Sequence, residues 1–290
     1  MKTTSRLLAS ALILLASITA AHAINPQKEY TYTPKDFGIE YVEDSVVTSD
    51  GYRINIWNLP STGENGRSVL IACADAGNMG QWLGIGATLC FLGYDVWMFD
   101  YRGFGGSQDF ATDRDMLYHS EYLRDFGAVL EHIAVLRDRP VDVLAFSMGT
   151  IMVGEHLRQY PGRKSLIRSC VMDGFISDPA ESVRILNGGK DNGNGNGSDN
   201  GKAANSGSGG KTVRLPATPL LSPGFRPQDI SVPMLLIHAT EDTVSPRRLL
   251  EPLTVSPLVT LLEFDCKHLQ AAFTHTEEYF TALDTFLKAH

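Results

Sequence analysis

The string Val141-Asp142-Val143-Leu144-Ala145-Phe146 runs without a break into Ser147, and Met148 to Tyr160 then reads as a helix. A serine at so sharp a strand-to-helix turn is held in a strained backbone conformation with its hydroxyl pushed outward. The positions two before and two after it must be small, because the turn brings their backbones together; here they are Ala145 and Gly149. That is an A-x-S-x-G form of the elbow that presents a nucleophilic serine. The helix N-terminus behind Ser147 adds unpaired N–H groups and a partial positive charge, both suited to a developing oxyanion. A serine that merely caps a helix would satisfy the same few residues, so the rest of the chain has to supply a base and an acid.

Around this unit, short continuous apolar runs alternate with amphipathic stretches. Strands are expected over residues 68–74, 94–99, 141–146, 169–171, 234–238 and 259–264. Helices are expected over 81–92, 120–137 and 269–287. In the second of these Tyr122, Phe126, Leu130 and Ile133 share a face, and in the third Phe280, Leu283 and Leu287 do. Apolar strands interleaved with helices imply an α/β chain with a mostly parallel central sheet covered on both faces. Residues 40–47 and 52–59, joined through Asp50-Gly51, read as a β-hairpin that adds antiparallel strands at one edge.

The N-terminus opens with Lys2 and Arg6, followed by an apolar run over residues 7–20 and then Ala21-His22-Ala23. Basic end, apolar centre and A-x-A exit make up a cleavable signal peptide over 1–23, which implies a secreted or periplasmic protein. A predominantly apolar run of fourteen residues is too short for a stable membrane span. Without 1–23 the formal charge moves from −8 to −10, since two cations and no acid are lost. Such an acidic chain has no basic excess to meet nucleic acid. Residues 24–290 suit a single α/β domain.

Three of the four cysteines (Cys73, Cys90, Cys170, Cys266) lie in or just after expected strands and read as small buried hydrophobes, hence free thiols. No C-x-x-C or H-E-x-x-H spacing suggests a metal. The glycine-rich strings over 103–108 and 205–212 each lack a glycine that a phosphate- or dinucleotide-binding loop requires. No cofactor is expected. Residues 187–211 hold nine Gly and six Asn and no aliphatic larger than alanine, too little apolar surface to offset ordering entropy. They read as a disordered loop.

A base and an orienting acid follow in order. Beyond the 234–238 strand comes Ala239-Thr240-Glu241-Asp242-Thr243-Val244-Ser245-Pro246; beyond the 259–264 strand comes Asp265-Cys266-Lys267-His268. Both lie past strand C-termini, the edge at which Ser147 emerges and at which open α/β sheets bind ligands. With Asp100-Tyr-Arg102-Gly103-Phe-Gly105-Gly-Ser107, these stretches resemble the α/β-hydrolase superfamily over most of the chain. The likeness is greatest to its esterase, thioesterase and serine aminopeptidase-like serine hydrolases.

The resemblance implies Ser147 as nucleophile, His268 as general base and then acid, and Asp242 as the residue that orients the imidazole. Asp173, closing the sixth strand, is the competing acid. Asp100 and Arg102 are assigned to a structural turn whose charges bond backbone. His238 reads as a buried structural residue and His275 as lying inside the closing helix. The oxyanion donors are expected at the Met148 N–H and, matching H-G-N-A-G-N against Cys73-Ala74-Asp75-Ala76-Gly77-Asn78, at the Asp75 N–H. Losing the first His and Gly, and putting a carboxylate beside a site for negative charge, is a departure from that group. A small cap is expected at 176–232, with one helix, the disordered loop and a proline-rich return. The implied function is hydrolysis of a small-molecule carboxylic ester or thioester through an acyl-enzyme. A peptidase or amidase on the same triad, and a non-catalytic binding protein on this fold, are the alternatives.

Overall fold

The strand that carries Ser147 lies in the interior of an eight-stranded sheet. A computed structural model describes residues 23–61, 66–160, 166–188, 213–215 and 224–290. The leader read over 1–23 falls outside these except for Ala23, and the loop read over 187–211 falls outside them except for Asn187 and Gly188.

The strands are β1 (Val42–Val47), β2 (Arg53–Leu59), β3 (Ser68–Ala72), β4 (Asp95–Phe99), β5 (Val141–Phe146), β6 (Ile167–Asp173), β7 (Met234–Ala239) and β8 (Val259–Phe264). Their order across the sheet is β8-β7-β6-β5-β3-β4-β2-β1. The β1–β2 and β2–β4 pairs are antiparallel and all others parallel, so the hairpin does form the antiparallel edge. β3 to β7 are almost entirely buried, which is why they read as continuous apolar runs and not as alternating ones. β6 extends two residues beyond the expected core at each end, since Ile167 and Asp173 are buried as well.

Helix α1 (Leu83–Phe91) and the closing helix α5 (Thr276–Ala289) cover one face, while α2 (His119–Arg137) and α3 (Met148–Gln159) cover the other. Tyr122, Phe126, Leu130 and Ile133 of α2 are fully buried, as their spacing requires. The closing segment corrects one expectation. A single turn, Ala271–Thr274, precedes α5, and His275 is the break between them at φ −129° and ψ 44°, not a residue inside the helix. Thr276 bonds back to the Ala272 carbonyl at 3.0 Å, which tightens this corner. The four cysteines are free and buried.

The turn after β4 is the main polar staple of the fold. Asp100 accepts from the main-chain N–H groups of Met79 at 2.8 Å and Gly106 at 3.1 Å, as a turn acid should. Arg102 departs from that expectation: its guanidinium bonds two carboxylates, Asp50 of the β1–β2 turn at 2.7 Å and Asp125 of α2 at 2.7 Å. Its Cζ lies 4.1 Å from the centre of the Tyr52 ring. With Arg102 and Asp125 both essentially inaccessible, the cation needs a buried anion, and backbone carbonyls alone could not neutralise it. Burial lifts the Asp125 carboxyl to about 6 despite the arginine. Arg102→Ala is therefore expected to cost about 3–5 kcal/mol by chemical denaturation, since it strands Asp125 without its partner.

Helix α4 (Pro179–Leu186), N-capped by Asp178 Oδ1 on the Glu181 N–H at 3.1 Å, begins the insertion between β6 and β7. Its base is closed by Asn187, whose amide bonds both the carbonyl and the N–H of Val213 at 2.9 Å. Arg214 then bridges to Met116 in front of α2.

Candidate active site

Ser147 sits at φ 45° and ψ −110°, a region that side chains other than glycine's seldom occupy. Its N–H is tied to the Asp173 carbonyl at 3.0 Å and its carbonyl receives the Thr150 N–H at 2.9 Å, which holds the turn in that shape. The small flanking residues have the reason anticipated. A Cβ on Gly149 would overlap the Ala72 carbonyl of β3, and Ala145 pairs with Ala72 across the ladder. Met148 opens α3, so its N–H belongs to the first helical turn, where N–H groups lack intrahelical acceptors.

His268 lies in the loop after β8. Its Nε2 is 2.9 Å from Ser147 Oγ and its Nδ1 is 2.6 Å from Asp242 Oδ2. Its side chain is about one-fifth exposed, so the imidazole edge can reach solvent and substrate, whereas the Asp242 carboxylate is wholly buried. Asp242 also accepts the N–H groups of Val244 at 2.7 Å and Ser245 at 2.9 Å, and the Ser245 hydroxyl at 2.7 Å. Burial works against its charge, but these bonds and His268 win and bring it down to about 2. In turn, burial pushes His268 down while the Asp242 bond and charge, with Asp173 and Asp75, outweigh it; the imidazole sits above its ordinary 6.5.

Asp173, the competing acid, is engaged elsewhere. Its Oδ2 takes the Tyr279 hydroxyl of α5 at 2.9 Å, and burial lifts the carboxyl to about 7. The next residue, Gly174, has φ +63°, and a Cβ there would lie 2.5 Å from His268 Cε1. The glycine is thus required twice, by conformation and by the imidazole packed on it. His238 is buried on β7.

The residue expected to give the second oxyanion donor, Asp75, is partly exposed on the turn after β3, and burial raises its carboxyl above the ordinary carboxylate value. The turn that bears it is braced by the segment that precedes the β1–β2 hairpin. Residues Asn25–Pro26 pair in parallel with Ala76–Gly77, through Asn25 N–H to the Asp75 carbonyl at 2.8 Å and Gln27 N–H to the Gly77 carbonyl at 2.9 Å. Asn78 donates its amide to the Glu29 carbonyl at 2.7 Å, and Ile24 is fully buried. No local pattern announces such a brace, because its partners lie some fifty residues away. Ser245, by contrast, could have been found: a serine three residues after an aspartate in a loop is placed to close an Asx-type turn.

Serine hydroxyl, imidazole and carboxylate in hydrogen-bonded series at a helix N-terminus can remove the serine proton and deliver it to a leaving group. A family model described as the α/β hydrolase fold matches residues 69–193, from β3 through the Ser147 elbow into the insertion. The chain has the α/β-hydrolase fold. Solved structures of this fold that resemble it include an esterase of Pyrococcus furiosus, 19% identical, with a TM-score of 0.67 over 92% of this chain and 99% of that one. A carboxylesterase of Bacillus subtilis is 14% identical, with a TM-score of 0.59 over 87% and 93% of the two chains. An acylaminoacyl peptidase of Pyrococcus horikoshii is 16% identical, with a TM-score of 0.61 over 86% of this chain and 41% of that one. Two uncharacterized proteins of Mycobacterium tuberculosis are each 40% identical over 63 residues, 21% of this chain and 22% of theirs. The match thus spans about a fifth of the length of these curated relatives.

Proposed function

We propose that this chain is a serine hydrolase that cleaves carboxylic esters or thioesters through an acyl-enzyme. The observation that carries this reading is the hydrogen-bonded series from Asp242 Oδ2 through His268 to Ser147 Oγ, at 2.6 and 2.9 Å, on the sheet edge where open α/β folds bind ligands. Ser147 Oγ attacks the acyl carbon while His268 Nε2 takes its proton. The C–O or C–S bond then breaks and the leaving group departs with that proton. Water, deprotonated by the same nitrogen, attacks the acyl-enzyme, releases the acid and returns the proton to Ser147. Asp242 stays ionised throughout and stabilises the imidazolium. Names of fold neighbours, two esterases and a peptidase among those above, agree with acyl transfer as the reaction class.

The test is covalent labelling by a fluorophosphonate probe together with turnover of a short-chain aryl ester. Labelling confined to Ser147 and steady-state turnover are expected. An amide of the same acyl group is expected to turn over far more slowly; the reverse order would favour the peptidase reading. The acid limb of kcat/KM reports His268 in the free enzyme, and because its pKa is raised, the limb is expected above pH 6.5. Activity is lost as pH falls through that value, since the protonated imidazole cannot accept the serine proton. A protein neither labelled nor active would sink the proposal.

A further inference from the structure

We propose that residues 24–30 position the oxyanion side of the active site: through Asn25, Gln27 and Asn78 they lock the turn after β3 in place beside the Ser147 elbow. This rests on the serine-hydrolase reading above and on a second oxyanion donor supplied by that turn. The start of the turn is fixed to the elbow by direct contact. Ala72 pairs with Ala145 across the ladder, and a Cβ on Gly149, two residues past Ser147, would lie 2.9 Å from the Cys73 carbonyl oxygen. Asp75 follows two residues later.

At Asp75 the chain has left the eight-stranded sheet, and its main chain is held by the lead-in instead. Asn25 donates its N–H to the Asp75 carbonyl at 2.8 Å, and Gln27 donates to the Gly77 carbonyl at 2.9 Å. Asn78 answers from the side of the turn. Its amide donates to the carbonyls of Glu29 at 2.7 Å and Gln27 at 3.2 Å, while its Oδ1 accepts the Gly80 N–H at 3.1 Å. The lead-in is itself tied to the body of the domain. Ile24 is fully buried and donates its N–H to the Arg114 carbonyl at 3.0 Å. The Gln27 carbonyl accepts the Gly105 N–H at 2.9 Å, and Lys28 Nζ donates to the Ser107 carbonyl at 2.7 Å. The Tyr30 hydroxyl bonds Asp100 and accepts the Gly106 N–H at 2.8 Å. One strip thus clamps the turn after β3 to the turn after β4.

Placement matters here more than stability. An oxyanion donor acts when it lies about 2.7–3.1 Å from the developing charge, and a displacement of about 1 Å can cost about a hundredfold in rate. The Asn25 bond fixes the carbonyl of the very residue whose N–H is the expected donor. The sheet is paired without the lead-in, β3 to β4 and to β5. Slackening the brace therefore leaves the Ser147–His268–Asp242 series in place and moves the donor.

The test changes single bonds in the full chain. Asn25→Pro deletes the N–H that holds the Asp75 carbonyl, and Asn25→Ala keeps it. Asn78→Ser keeps a capping oxygen for Gly80 but drops both bonds to the lead-in. Active sites are counted by fluorophosphonate labelling, and aryl ester turnover is expressed per labelled site. Affinity is measured for a trifluoromethyl ketone, whose adduct with Ser147 carries an oxyanion. Asn25→Pro and Asn78→Ser are expected to lower kcat per site about tenfold to a hundredfold. KM is expected to stay unchanged and the ketone to weaken by the same factor as kcat, since the charged oxygen is what needs the donor. The acid limb set by His268 is expected at its wild-type position, and Asn25→Ala is expected to retain the wild-type kcat. A merely structural brace would give fewer labelled sites and lower melting temperatures, with kcat per site and ketone affinity unchanged. That result in both variants overturns the proposal, as does an equal loss in Asn25→Ala and Asn25→Pro. If Asn25→Pro does not fold, Asn78→Ser decides by the same readouts. If the wild type is neither labelled at Ser147 nor active, the serine reading fails and the positioning role with it.

Discussion

Asp242→Asn is expected to lower kcat/KM for a short-chain aryl ester by about 10⁴ with the fold intact, whereas Asp173→Asn should cost about tenfold or less. The difference lies in what each carboxylate touches. Asp242 Oδ2 accepts from His268 Nδ1, so the imidazole carries its proton there and leaves Nε2 free to accept from Ser147. An amide NH₂ in that position donates instead, drives the proton to Nε2 and abolishes the base. The remaining partners of Asp242 tolerate the change. Val244 and Ser245 N–H groups can bond the amide oxygen, and the Ser245 hydroxyl can rotate to accept. Asp173 meets Tyr279 and not the imidazole, and burial lifts its carboxyl to about 7, so the neutral amide is a mild change there. Its main-chain bond to the Ser147 N–H survives any side-chain replacement. A larger loss in Asp173→Asn than in Asp242→Asn, by steady-state kinetics on folded protein, would reassign the orienting acid.

Ser147→Gly should combine the largest loss of activity with a gain in stability. Without the hydroxyl no acyl-enzyme forms, and nucleophile removal in a comparable triad costs about 10⁶ in turnover. The backbone at φ 45°, ψ −110° is unfavourable for any residue with a Cβ, by about 1–3 kcal/mol, and glycine adopts it without that strain. Glycine also gives the unfolded chain about 0.5–1 kcal/mol of extra entropy, so the net stabilisation is about 1 kcal/mol. That should raise the melting temperature by roughly 2–4 °C in a domain of this size. Ser147→Ala removes the same hydroxyl but keeps the Cβ, and is expected to lose activity without the gain. Equal melting temperatures for the two variants would show that the elbow stores no such strain.

Much of this architecture is local in origin and hence readable from the chain. The apolar runs of β3 to β7 and the stripe Tyr122–Phe126–Leu130–Ile133 follow from the periods of strand and helix, and those elements form where the periods predict. The same holds for the elbow, where small residues at 145 and 149 are dictated by backbones that meet within one turn. The loop positions of Asp242 and His268 follow too, since both come directly after strands whose ends lie on one edge.

Other features depend on contacts between distant segments, and no local pattern encodes those. Whether His268 would meet Asp242 or Asp173 was open, because both acids end adjacent parallel strands; the Tyr279 hydroxyl, arriving on α5, engages one and leaves the other to the imidazole. Arg102 bonds Asp50 and Asp125 because the β1–β2 turn and α2 both converge on it in space. The break at His275 reflects packing at the corner, not helix propensity, which would have continued through it. At Asp75 the sequence by itself determined that a carboxylate replaces a neutral residue in the oxyanion turn. Only the tertiary structure, through the brace from residues 24–29, decided how the turn that bears this carboxylate is held. The reason is physical: covalent spacing limits which groups can be neighbours along the chain, but the anchoring of a turn is settled by the distant segments that close around it.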